Sequence, residues 1–329
     1  MSKPRPTVME YRNYYLPPAF PVLLLSGDNW KISSTPSSRL HFHNCMEIGY
    51  CHTDSGILKT GRECLEFHAG DVTFLPRNVP HTTWSSPGTE SRWSYLFLDS
   101  GALLRSMCYS GDTDLSFLPH ASQNLRYILP EKEFPLAGFL VTEIIRALEQ
   151  ADSNYRLFVK GLFLSLMVEL SRIQQKYQAG QADAVSDSGL SSPELLSIAP
   201  ALDYIEDCYQ AKISMDALAG ICHMSTSHFR RIFHNIMQIS PLDYLNNVRI
   251  MKACNLLCST QDSILTISEM TGFPSISNFN RHFLRVMKRS PREYRRQQLS
   301  QPENDSASGP FRYSIMEFSG WMQPEESPE

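Results

Sequence analysis

The sequence predicts an α+β multidomain chain: a β-rich N-terminal half, a pair of helices, and an all-α C-terminal part built from one unit used twice. Three observations carry that prediction. Residues 277–296, SNFNRHFLRVMKRSPREYRR, repeat residues 227–246, SHFRRIFHNIMQISPLDYLN, with Ser, Phe, Arg, Phe, Met, Ser, Pro and Tyr kept in register. Residues 20–130 are mostly short apolar runs broken by Gly, Pro, Asn and Asp, with alternation in WSYLFLD at 93–99, which is the pattern of β-structure. The stretch QAGQADAVSDSGLSSPE, 178–194, is poor in large apolar residues and reads as a flexible linker.

With 329 residues, of which 42% are apolar, the chain can fill more than one core. The expected divisions are a β-domain over 8–132, a helical segment over 133–178, the linker over 179–194, the duplicated all-α domain over 195–298 and a mobile tail over 299–329, in which FRYSIMEFSGW could fold against something. The N-terminal MSKPRPTVMEYRNYYLPP has no apolar core of a signal peptide, and no run reaches the roughly 18 apolar residues of a membrane span. The expectation is a cytoplasmic protein without a membrane partner. Its eight cysteines form no CxxC pair and read as small buried hydrophobes.

In the helical segment, EFPLAGFLVTEIIRALEQ forms the first helix and the run from Tyr155 the second, with Asp152 or Ser153 as the expected N-cap. Leu162, Leu166, Leu170, Ile173 and Tyr177 recur every three to four residues, so the second helix carries one apolar stripe. That stripe either docks on its own domain or pairs with a second copy.

Each C-terminal unit has the grammar of a helix-turn-helix. In the first, Ser214 caps a short helix bearing Leu218, Ala219 and Ile221, and Ser225 or Thr226 caps the next. In the second, Gly272 supplies the positive φ at a helix end and Ser275 opens ISNFNRHFLRVM. Phe229 and Phe233, like Phe279 and Phe283, fall at i and i+4 and belong inside, leaving polar and cationic residues outside. Although the chain's net charge is −4, lysine and arginine outnumber acids from 195 to 300. Between 275 and 300, Arg281, Arg285, Lys288, Arg289, Arg292, Arg295 and Arg296 stand against Glu293 alone. A basic face on an acidic protein points to a polyanion held at one end.

Residues 198–297, with the GF of Gly272–Phe273, the repeated F-x-R-x-F and two S-P-x-x-Y endings, resemble the DNA-binding domain of AraC/XylS transcription regulators. The resemblance implies two helix-turn-helix modules, joined by a helix near 241–257, whose recognition helices enter adjacent major-groove segments of double-stranded DNA. Carried over by position, Ser227, Arg230 and Arg231, and Ser277, Asn278, Asn280 and Arg281, would face bases. Arg230 and Arg231 suit guanine or phosphate, and Asn278 or Asn280 suits adenine. Arg231 and Arg281 could equally clamp a phosphate or brace the module. Lys288, Arg289 and Arg292 would neutralise phosphate. Where the family usually carries a helix-ending Gly, this chain has Gln238 and Lys288.

In the N-terminal half, HFHNCME places His41 and His43 on one face of a strand, with Glu47 four residues after His43, and GDVTFLPRNVPH brings His81. These stretches resemble the two cupin motifs, which imply a β-barrel and a divalent metal, such as Zn, Mn, Fe or Ni, held by His41, His43, Glu47 and His81. Thr35, Asn78 and Ser85 depart from the pattern, and the Gly expected at 54 falls at Gly56. The same four residues otherwise form a hydrogen-bonded core or part of an effector pocket. Trp84, Trp93 and Tyr95 are candidates to stack on a sugar ring, or are plain core.

The resemblance implies a transcriptional regulator, activator or repressor, whose cupin-like domain binds a small polar effector such as a sugar or oligosaccharide. The helices of 133–178 would make a homodimer, and RNA polymerase would be a further partner. The alternative is a metal-dependent cupin enzyme with a C-terminal DNA-binding domain.

Overall fold

The structure, a computed structural model, describes residues 8–12, 14, 16–17, 20–37, 39–60, 63–107, 125–180, 193–237 and 239–300. Most of the expected linker, Gln238 and the stretch FRYSIMEFSGW lie outside the described residues.

In chain order the strands are β1 (Val8–Arg12), β2 (Val22–Leu25), β3 (Lys31–Ile32), β4 (Arg39–His43), β5 (Met46–Cys51), β6 (Ser55–Thr60), β7 (Glu63–His68), β8 (Val72–Leu75), β9 (His81–Ser85), β10 (Ser91–Leu98) and β11 (Ile128–Leu129). They form two sheets, ordered β1-β4-β9-β6-β7 and β11-β8-β5-β10-β2, with β3 paired to β10. Strand β1 runs parallel to β4, matching Tyr11 with Phe42 and Arg12 with His43. The turns take positive φ where the sequence tolerates it: Asp54 at 65°, in the place where the cupin pattern expects Gly, and Asn78 at 64°.

Alternation along the strands divides the β-domain into an interior and two outer faces. Leu58, Phe67, Leu75, Trp93, Tyr95 and Phe97 pack between the sheets. Met46, Ile48, Phe74, Leu96 and Leu98 point the other way, into a core shared with α2 (Pro135–Gln150) and α3 (Tyr155–Gly180). A short helix α1 (Ser100–Arg105), capped by the Asp99 carboxylate, leads off β10. Strand β10 is therefore buried on both sides for nearly its whole length.

The stripe on α3 docks on its own domain, since Leu166, Leu170 and Ile173 belong to that core and Leu162 packs against it. The helix does not begin at Asp152 or Ser153. It starts at Tyr155, after Asn154 has turned through the left-handed region at φ 63°.

The remaining helices are α4 (Pro193–Cys208), α5 (Met215–Ile221), α6 (Thr226–Met237), α7 (Pro241–Ser259), α8 (Ile264–Met270), α9 (Ile276–Met287) and α10 (Pro291–Ser300). The repeat is visible in three dimensions. Phe229–Phe233 and Phe279–Phe283 ring centroids are each 5.5 Å apart, and Tyr244 and Tyr294 meet Phe233 and Phe283 at 5.8 and 5.6 Å. The S-P-x-x-Y motif is a helix start: Ser240 and Ser290 accept from the backbone of Asp243 and Glu293, the prolines open the first turn, and the tyrosines are buried. Gly272 has φ 78°, and a Cβ there would meet the Gln210 carbonyl oxygen at 2.6 Å. That close approach brings α8 and α9 onto the end of α4, where Arg249 of α7 also donates to the carbonyls of Tyr209 and Ala211.

Candidate functional site

Strand β4 carries three consecutive residues with different tasks. His41 and His43 face the barrel interior, while Phe42 faces outward and is fully buried among α4, α6 and α7 residues of the C-terminal domain. His43 reaches the Cys45 carbonyl through Nδ1 at 2.8 Å and Glu47 Oε2 through Nε2 at 3.0 Å. The Cys45 carbonyl can only accept, so His43 donates to it from Nδ1. His81 donates from Nδ1 to the Val79 carbonyl at 2.9 Å, which leaves Nε2 turned toward Glu47 Oε2 at 3.5 Å. Burial works against a charged Glu47, but His81 and then His43 outweigh it and hold the carboxyl down to about 2. Burial drives His41 and His43 below the usual imidazole value, and for His41 the neighbouring His81 adds to it.

The donor set fits a divalent cation. His41, Glu47 and His81 each offer a ligand atom, all within 4.8 Å of one another and all buried. The backbone carbonyl on His81 Nδ1 fixes the ring so that Nε2 is presented inward, the orientation imposed on metal-bound imidazoles. His43 stands outside this group of three because Glu47 engages its Nε2. The expected four-ligand set is thus split into three residues that converge and one that supports the carboxylate.

Trp93 and Tyr95 lie in the interior, stacked 5.4 Å apart with planes 9° from parallel, and Trp93 donates to the Ser91 hydroxyl. The series continues through Phe97 to Tyr14 and His43, so these aromatics fill the barrel as core. Trp84 does not join them. It pairs with Ile57 on β6, one residue out of phase with the inward-facing Thr83 and Ser85, and is half-buried on the far side of β9. The period of two along a strand excludes it from the group around His81.

On the C-terminal domain, Ser227, Arg230 and Arg231 are exposed on α6, and Ser277, Asn280 and Arg281 on α9. Asn278 is half-buried, its N–H capped by Ser275. Lys288 and Arg292 are exposed, while Arg289 is half-buried and engaged by Gln297. Lys288 takes the left-handed conformation at the end of α9, φ 56°.

Two family models match the chain in sequence order: an AraC-like ligand binding domain over residues 33–167 and a helix-turn-helix domain over 218–297. The chain belongs to the AraC family of transcriptional regulators. The Lactose operon transcription activator of Staphylococcus xylosus is 24% identical to it over 243 residues, spanning 73% of this chain and 80% of that one. The HTH-type transcriptional activator RhaS of Pectobacterium carotovorum subsp. carotovorum is 23% identical over 275 residues, 80% and 89% of the two chains. Among solved structures, unsaturated fatty acid bound ToxT from Vibrio cholerae strain SCE256 aligns with 83% of this chain and 93% of its own, at 15% identity and a TM-score of 0.34.

This AraC-family chain also has a seam that sequence reasoning missed. A cavity of about 70 Å³ opens between the β-domain and α7, lined by Tyr14, Asn44 and Asp99 on one side and Glu206, Tyr244 and Lys252 on the other. Lys252 Nζ stands 3.1 Å from Asp99 and 3.6 Å from Glu206, and Arg77 of the β-domain reaches Asp203 and Asp207 of α4. No local motif marks these partners, because the pairs of Lys252 with Asp99 and of Arg77 with Asp203 and Asp207 each join residues more than a hundred positions apart. No helix among the described residues is long and apolar enough to cross a membrane.

Proposed function

We propose that this regulator reads two adjacent DNA segments with α6 and α9 and that a small polar effector, a sugar or oligosaccharide in the first instance, biases how the DNA-binding domains are presented. The observation that carries the reading is the doubled module: in each copy the phenylalanine face is buried while Ser, Arg or Asn residues stand outward at helical spacing. Ser227, Arg230 and Arg231 would address the first segment and Ser277, Asn278, Asn280 and Arg281 the second, with Lys288, Arg289 and Arg292 on phosphates. A competition gel shift tests it. Arg230→Ala and Asn278→Ala should lose discrimination between the selected site and scrambled DNA while keeping their fold, and unchanged preference in both variants would sink the assignment.

The protein would act as a homodimer. With the α3 stripe used inside the domain, a second apolar face remains: Leu136 and Phe139 on α2, and Leu157, Phe158, Leu164 and Val168 on α3, all exposed. Six large apolar side chains on two packed helices suit a self-complementary contact. Recruitment of RNA polymerase and a place in the cytoplasm complete the reading.

The convergence of His41, Glu47 and His81 supports a second reading, in which the barrel holds a divalent metal that either shapes the sensor or serves an enzymatic site. Those residues would bind and orient the ion, and His43 would position the Glu47 carboxylate. Stoichiometric metal in purified protein, with turnover, would favour the enzyme.

A further inference from the structure

Leu284 is out of place on α9. On a helix the buried face is set by Phe279, Phe283 and Met287, and at 100° per residue Ser277, Arg281, Leu284 and Lys288 form one strip turned away from it. Three of those four are polar or cationic. Leu284 is 54% exposed in their midst, the largest exposure of an apolar side chain on either recognition helix. Cations flank it, so the neighbouring surface is complementary to a phosphate backbone, not to an apolar protein partner.

Its spacing is also that of a reading residue. Ser277, Asn280, Arg281 and Leu284 fall at i, i+3, i+4 and i+7, the set with which a helix lying in a major groove presents side chains to base edges. Apolar side chains have one specific target there, the 5-methyl group of thymine. Resting on the assignment of α9 as a base-reading helix, we infer that Leu284 contacts a thymine methyl and makes the second module selective for an A·T pair. The first module differs at the same place: the repeat aligns Leu284 with His234, which is exposed and polar. The two helices therefore read unlike half-sites. Arg230, Arg231 and His234 favour guanine-bearing pairs, and Asn280 with Leu284 favours adenine and thymine.

The test uses the full chain and substituted DNA. A preferred site is selected from a random duplex pool, and each of its thymines is replaced singly by deoxyuridine, which lacks only the methyl. One replacement should weaken binding about fourfold, the effect of one buried methyl. Leu284→Ala should bind thymine and uracil alike at that position, whereas His234→Ala should keep the wild-type ratio. Leu284 is exposed, so its truncation leaves the core intact. A site whose thymines all tolerate uracil, or a thymine preference that survives in Leu284→Ala, overturns the inference alone. A pool that enriches no sequence overturns the base-reading role of both helices, and Leu284 with it.

Discussion

Phe42 and His43 are consecutive residues on one strand that serve two domains: His43 closes on Glu47 inside the barrel, and Phe42 is buried among residues of the first helix-turn-helix module. Tyr11, register partner of Phe42 on β1, lies 5.2 Å from it and 6.0 Å from Tyr244 of α7. A shift of β4 by a group bound at the histidines would move the surface on which the DNA-binding domain sits. Coupling of this kind needs a ligand that favours one arrangement over the other, and β4 is the element that carries both His43 and Phe42.

Phe42→Ala should uncouple the domains. Truncating a fully buried Phe costs about 3–5 kcal/mol, here drawn largely from the contact between domains. Scanning calorimetry is expected to resolve two transitions in the variant where the wild type gives one, and the segment between Gly180 and Pro193 should be cut faster by protease. A single, unmoved transition would mean that Phe42 does not hold the domains together.

Lys288→Gly should separate stability from binding. A non-glycine residue at φ 56° is strained by about 1 kcal/mol, so glycine is expected to raise the melting temperature. The same change removes a cation that the proposed reading sets on a phosphate, and on that reading the slope of log K against log salt should fall by about 1. Gel shifts over a salt series measure the second effect and thermal melts the first.

The bridge between α9 and α7 has a defined pH dependence. Asp243 is held below the ordinary aspartate range first by the Ser240 hydroxyl and also by Arg285, whose guanidinium lies 2.8 Å away. A carboxyl depressed in the folded state contributes stability above its unfolded value, about 3.9, and loses it as pH falls toward the folded value. Asp243→Asn should therefore lower stability near neutrality and flatten the acid limb of the stability profile below about pH 4. Urea melts across that range check it, and an unaltered acid limb would count against the bridge.

Glutamate on the exposed apolar face, Leu164→Glu, should leave a folded monomer. Sedimentation should show halved mass, with affinity for a paired site falling well below wild type and affinity for a single half-site kept. If mass does not change, the dimer is made elsewhere.

The full chain melted against a panel of mono- and oligosaccharides, with and without a chelator, should show a concentration-dependent rise with one sugar class, by the linkage of binding to stability. A rise that survives the chelator marks a metal-free sensor. A fall on chelation with no sugar response assigns His41, Glu47 and His81 to a metal.

What the sequence made legible was what repeats or alternates. The matched Phe, Ser-Pro and Tyr positions disclosed two modules because each reports a local requirement: a buried i, i+4 pair, a cap, a first turn. His41 and His43 were legible as a same-face pair for the same reason. The outward phase of Trp84 was not legible because side-chain type alone does not give strand phase. His223, which ends α5 at φ 54°, carried no glycine to announce it. The split of His43 from the three converging ligands depends on which lone pair Glu47 turns where, and the seam of Lys252, Asp99 and Glu206 depends on how domains meet. Neither has a short-range signature.

The contact of Tyr11 with Phe42 and Tyr244 also orders events during synthesis. The β-sheets can pair once the chain has emerged as far as β11, but Tyr244 follows only after the linker and the first module have been translated. Until then Phe42 and Tyr11 face water on a nascent barrel, a sticky patch of the kind that invites chaperones or premature association. A fragment ending before α4 would keep that patch permanently, so an isolated sensor domain is expected to be less soluble than the complete protein.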